Sequence, residues 1–193
     1  MSGTTSFRPA KRSECRTIAT LYRISSDGLA DYIWTKLAAP EEDILDVGQG
    51  RYEQEDLVFS YKNCVVVTHD EKIIGMLVGF PMEIEPVANE LEEDPVLVPY
   101  SKLEEANSYY IWEMALVPKY RNQGISCKLV ALAEDKAREM SYEKLSLIVF
   151  EQNEGALRLY ERYGFEEVAR DPVGPHPLIR HTGDVLLMVK TIN

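Results

Sequence analysis

Tyr109-Tyr110-Ile111-Trp112-Glu113-Met114-Ala115-Leu116-Val117-Pro118-Lys119-Tyr120-Arg121-Asn122-Gln123-Gly124-Ile125-Ser126-Cys127-Lys128 is the stretch on which the fold turns. Residues 109–117 are apolar and strand-like and stop at Pro118, which cannot continue a ladder. Beyond Gly124, residues Ile125, Leu129, Val130, Leu132, Ala133 and Ala137 recur at helical spacing, and Leu145 to Phe150 make a second buried-strand run. Strand, helix and strand in that order predict a βαβ unit with parallel strands and a right-handed crossover. The junction at 118–128 holds Lys119, Arg121 and Lys128 and no acid. Unpaired N–H groups of a first helical turn, a partial positive dipole and a glycine that lets backbone approach closely suit an anion. The stretch is neither a GxxxxGK[ST] loop nor a GxGxxG fingerprint.

Working outward, Asn153 to Tyr163 reads as a helix with Gly164 at its C′ position, followed by strands over Phe165–Ala169 and Val185–Val189. Upstream, Cys15, Ile18, Ala19, Leu21 and Tyr22 trace a first helix to about Ile24, with Ser13 as its N-cap. Leu29, Ile33, Trp34 and Leu37 mark a second helix, and Glu41-Glu42-Asp43 suit the start of a third. Cys64–Val67 and Ile73–Phe80, joined through Asp70-Glu71, predict an antiparallel hairpin in which Pro81 ends the second strand or marks its edge. Residues 83–107 carry eight acids (Glu83, Glu85, Glu90, Glu92, Glu93, Asp94, Glu104, Glu105) against Lys102, with three prolines. They are expected to form an acidic insertion, a solvated excursion or a substrate-facing lip, with a short helix after Pro99.

At 193 residues, 45% hydrophobic and 27% charged, the chain has the size and composition of a single globular domain spanning 1–193. A net charge of −11 repels nucleic-acid phosphates and anionic membrane surfaces. No apolar run reaches the roughly 20 residues that span a bilayer, and residues 1–7 lack the apolar core of a signal peptide. Cys15, Cys64 and Cys127 are too widely spaced for a disulfide framework and predict free thiols in the cytoplasm. His176 and His181 lack the partners of a zinc site, so no metal is expected, and both are candidates for lining an acceptor pocket. Cys127 reads as a structural thiol.

Arg121-x-x-Gly124-x-Ser126, placed between strand and helix, resembles the R/Q-x-x-G-x-G/A acyl-CoA signature of the GNAT superfamily of N-acetyltransferases. Asn153-x-x-Ala156-x-x-Leu159-Tyr160-x-x-x-Gly164-Phe165 is similar to a second characteristic stretch of that family, and Phe7-Arg8-Pro9-Ala10 to its opening strand. Asn122 and Ser126 stand where many members have Gly or Ala, and Asn tolerates unusual backbone angles better than most residues. The resemblance implies a mixed, mostly antiparallel sheet flanked by helices around the βαβ core. It implies acetyl-CoA as cosubstrate, its pyrophosphate on Asn122, Gln123, Gly124, Ile125 and Ser126 with Arg121 adding charge, and its pantetheine arm along Leu116 and Val117. Asn153 would reach the cofactor, residues 29–37 and the loop after Pro81 would shape the acceptor pocket, and a homodimer is a common assembly.

Acetyl transfer makes its own demands. A Lys-like amine is about 99.9% protonated at pH 7 and needs a proton acceptor. Glu113, four residues before Val117, is the candidate base, the alternative being a strand acid paired with a polar neighbour. Tyr160 is the candidate acid for the leaving thiolate, donation being uphill by only about 2 kcal/mol, although it also fits a core face with Leu157 and Tyr163. A backbone N–H near Leu116 would take the oxyanion. The expected function is therefore acetyl transfer to the primary amine of a cationic small molecule or peptide. A non-catalytic acyl-CoA sensor, or an acyltransferase with another donor or acceptor, is the alternative.

Overall fold

Near-continuous runs of β-branched and other apolar residues build one side of the sheet. In the computed structural model, which describes residues 3–83 and 94–192, β1 (Thr5–Pro9) pairs antiparallel with β2 (Cys64–His69), which turns into β3 (Lys72–Met82). Asp70 and Glu71, with φ of 47° and 65°, form the two-residue left-handed turn that matches strand twist. The second strand does not end at Pro81. Proline's fixed φ is compatible with a strand and removes only a donor, and the Met82 carbonyl still accepts from Asn107 N–H at 3.1 Å.

With β4 (Ser108–Leu116), β5 (Lys144–Phe150), β6 (Glu166–Pro172) and β7 (Asp184–Thr191), the sheet has seven strands in the order β1-β2-β3-β4-β5-β7-β6. β4 and β5 run parallel, as the βαβ reading requires, while the β1/β2, β2/β3, β5/β7 and β6/β7 pairs are antiparallel. Two compact units are distinguishable, Met1–Phe80 with Trp112–Leu129 and Pro81–Ile111 with Val130–Asn193.

In the first unit, α1 (Cys15–Ser25), α2 (Leu29–Leu37) and α3 (Ile44–Glu53) follow β1. Ser13 is not the N-cap. It lies inside a turn of 3-10 helix, and Glu14 takes the terminal role, accepting from Lys11 N–H at 2.8 Å while Arg8 holds its carboxylate at 2.6 Å. Asp43 caps α3 through Leu45 N–H at 2.9 Å, consistent with the acid-rich start. Cys15, Ile18, Tyr22, Trp34, Tyr52, Val66 and Met76 share the core.

In the second unit, α5 (Ile125–Glu139, whose first residues belong to the first unit) buries Val130, Ala133 and Ala137, and α6 (Glu154–Arg162) ends as expected at Gly164, with φ of 82°. The buried hydroxyls of Ser108 and Ser146 meet at 2.6 Å across the parallel pair. The acidic insertion differs from a wholly solvated excursion in its second half. Asp94, Val96, Pro99 and Leu103 are buried and α4 (Val98–Lys102) takes Pro99 into its first turn, where a missing N–H costs nothing. Residues 84–93 lie outside the described residues. Among the described residues no helix is long and apolar enough to cross a membrane.

Gly48 on α3 is a close-approach glycine: a Cβ there would stand 2.5 Å from the Trp34 ring, itself 1% exposed. Helix propensity alone would make Gly48→Ala stabilising by about 1 kcal/mol, whereas overpacking costs about 1–3 kcal/mol. Gly48→Ala is therefore expected to lower stability in urea titration; a gain would mean the Trp34 contact yields freely.

Candidate active site

Pro118 opens a short turn of 3-10 helix, and the chain then passes through Arg121 to Ser126 into α5. Two residues of this loop adopt left-handed backbone, Asn122 at φ 60° and Gly124 at φ 77°. Side chains brace both flanks: Arg121 Nε donates to the Leu116 carbonyl at 3.2 Å and Gln123 Nε2 to the Lys119 carbonyl at 3.0 Å. Among the described residues the N–H groups of Asn122, Gln123 and Gly124 donate to no protein group. Such an arrangement has the chemistry to suit an anion, and apart from the adjoining residues no atom lies within 4 Å of where a Gly124 Cβ would stand. Val117 N–H is already engaged by the Ile74 carbonyl at 2.8 Å, and Val117 O accepts from Tyr120 N–H at 2.9 Å. Ile125 is buried and Ser126 and Cys127 are half-buried.

Glu113 lies in the same unit, on the C-terminal half of β4. The residue is half-buried, and the loss of water around its carboxyl raises the pKa to about 8, with the nearby Asp27 pushing the same way. Hydrogen bonds from the Ser25 hydroxyl and Met114 N–H only partly oppose this. Ser25 has its own claims on that hydroxyl proton, the Leu21 carbonyl at 3.0 Å and the Tyr22 carbonyl at 3.3 Å. Tyr52 is buried beside Glu113, and its phenol is held protonated by burial, by Tyr22 and by the carboxyl.

Asn153 and Tyr160 belong to the second unit. Asn153 caps α6, its Oδ1 accepting from Ala156 N–H at 3.2 Å, which leaves the side-chain amide nitrogen as a donor. Tyr160 is 8% exposed and packs edge-on against Phe165 at 5.6 Å. Leu116, Val117, Arg121–Ser126 and Glu113 are thus brought together in one unit, and Asn153 and Tyr160 in the other. Ser25 and Tyr52 around Glu113 carry no local signal in the sequence, since only the α1–α3 packing delivers them. Asp27, at φ 49° before Gly28 at φ 101°, is the one whose turn chemistry is visible.

Residues 29–165 match the model of the Acetyltransferase (GNAT) family. A Bacillus subtilis protein, the uncharacterized N-acetyltransferase YycN, is 40% identical over 58 residues, 30% of this chain and 37% of its own length. The chain therefore aligns with well under half of that relative. Among solved structures, one described as an acetyltransferase superposes with a TM-score of 0.67 at 21% identity, covering 97% of this chain and 100% of the other. The Salmonella typhimurium protein YncA, solved with its cofactor acetyl-CoA, gives a TM-score of 0.63 at 17% identity over 98% and 94%. At such identities the likeness is one of fold.

Raising a carboxyl pKa from the ordinary 4.5 to about 8 has a signed effect on stability. Below pH 4.5 both folded and unfolded chains hold the proton. Between 4.5 and 8 the unfolded chain has released it while the native one retains it, so stability falls with rising pH and levels off above 8. Glu113→Gln removes this penalty. Its melting temperature relative to the parent is expected to climb steadily from pH 5 to pH 8, as read by scanning calorimetry; a pH-independent difference would contradict the raised pKa.

Proposed function

Because the chain belongs to the GNAT acetyltransferase family, we propose that it transfers an acetyl group from acetyl-CoA to the primary amine of a small molecule or peptide, an acceptor that arrives as a cation. The chain would act as one catalytic domain in the cytoplasm, a setting in keeping with its buried free thiols Cys15 and Cys64. Glu113 is the observation that carries the reading: a carboxyl whose pKa is raised by loss of water, on the strand that leads into a loop of unclaimed amides, supports a proton acceptor in the unit that holds that loop.

In this reading the amides of Asn122 to Ser126 take the pyrophosphate and Arg121, anchored on Leu116, adds charge from its free terminal nitrogens. Glu113 receives the ammonium proton, directly or through a water, and the neutral amine attacks the thioester carbonyl. A backbone N–H near Leu116 stabilises the oxyanion. Tyr160 then donates its phenolic proton to the CoA thiolate as the tetrahedral intermediate collapses, and Asn153 offers its remaining donor to the pantetheine arm.

Two measurements test this. Acetyl-CoA at about 100 times its dissociation constant should stabilise the protein by about 2.7 kcal/mol in thermal melts, and free CoA should appear over an amine panel. Stabilisation without CoA release would favour a sensor, and no stabilisation would exclude the cofactor. Tyr160→Phe should cut kcat by about 100-fold or more with acetyl-CoA affinity changed less than threefold; an unchanged kcat would remove it as the acid.

A further inference from the structure

Arg51, in the last turn of α3, is a cation left over in an acidic chain. The sequence holds 32 acids against 21 bases, and the neighbouring basic side chains are spoken for: Arg12 by Glu53 at 3.6 Å, Arg23 by Asp31 at 2.6 Å and Lys62 by Glu55 at 2.6 Å. Among the described residues no carboxylate lies within ion-pair distance of Arg51. Its guanidinium stands over the Phe59 ring instead, 5.1 Å from the centroid. A stacked guanidinium keeps its in-plane N–H fork unused, and that fork matches a carboxylate in two parallel hydrogen bonds.

Position ties this cation to the site. The Phe59 ring lies 5.2 Å from that of Trp112, the residue preceding Glu113 on β4. Tyr52, adjacent to Arg51 on α3, senses the charges of both Arg51 and Glu113. Arg51, Phe59, Trp112 and Glu113 are all half-buried, whereas Tyr52 is enclosed beneath them. Among the described residues of the first unit, then, an unpaired guanidinium stacks on an aromatic pair with part of its surface open, and Tyr52, next to Arg51 in the chain, is electrostatically coupled to the Glu113 carboxyl.

We propose that Arg51 binds a carboxylate of the acceptor, so that the substrate is a free amino acid: its amine goes to Glu113, its carboxylate to Arg51 and its apolar side chain to Phe59 and Trp112. This rests on the acetyl-transfer reading above. A polyamine or an uncharged amine would leave the guanidinium without a counter-ion, and a peptide N-terminus carries no carboxylate beside its amine.

The experiment compares each amino acid with its carboxamide: phenylalanine with phenylalaninamide and leucine with leucinamide, as acceptors with acetyl-CoA. In the parent, kcat/KM should favour the carboxylate by about ten- to a hundredfold, the range of a charge-assisted hydrogen-bonded pair. Arg51→Met should shrink that ratio below about threefold, and Arg51→Lys should restore part of it. Equal use of carboxylate and carboxamide by the parent, or a ratio that survives Arg51→Met, would overturn the proposal, and the parent comparison decides even if Arg51→Met does not fold. Thermal shifts with N-acetylphenylalanine and its carboxamide give a second readout without turnover. Carboxylate-selective binding lost in Arg51→Met, with no amine acetylated, would uphold the Arg51 site and fail the acetyl-transfer reading. Amines acetylated without carboxylate selectivity would do the reverse.

Discussion

Water is kept from the Glu113 carboxyl by the helices packed over β4, and among the described residues no cation takes water's place. For the proposed acetyl transfer, the consequence would be a smaller proton-transfer problem. Between an ammonium of pKa near 10.4 and an ordinary glutamate of about 4.3, moving the proton costs about 8 kcal/mol, at about 1.4 kcal/mol per unit. With the carboxyl at about 8 the same step costs about 3 kcal/mol. The raised pKa also means that about nine-tenths of the free protein holds Glu113 protonated at pH 7. In the proposed reaction an arriving ammonium would favour the ionised carboxylate, which would couple acceptor binding to ionisation of Glu113.

Much of the first unit follows from maintaining that environment. Tyr22 packs between Trp34 at 5.7 Å, Trp112 at 6.3 Å and Tyr52 at 6.5 Å, and this aromatic set excludes water without supplying a charge. Asp27 and Ser25 sit on the turn that ends α1, where one raises the carboxyl pKa and the other restrains the rise. The same unit holds the loop from Arg121 to Ser126, braced on Leu116 and Lys119, so the proposed anion site and the proposed proton acceptor belong to one compact unit.

Elements with local signals were legible in the sequence. The βαβ unit, the acid-rich start of α3, the Gly164 stop and the unusual backbone of Asn122 all follow from residues within a turn or two of one another. Glu113 was legible as a candidate from its place on the strand, but its pKa was not, because Ser25, Asp27 and Tyr52 reach it only through tertiary packing. Ser13 misled because Glu14 had two partners, Arg8 and Lys11, that a capping rule does not weigh. Residues 94–107 read as solvated from their composition, yet Val96 and Leu103 are buried. Arg51 gave no signal at all, since an arginine in a helix ordinarily finds an acid.

The pH dependence of kcat/KM, measured with an acceptor amine whose own pKa lies outside the range 6 to 10, tests the account at its centre. Activity should rise with pH to a plateau with an apparent pKa near 8, and that rise should vanish in Glu113→Gln. A rise centred near 4.5, or one that persists in Glu113→Gln, would contradict it.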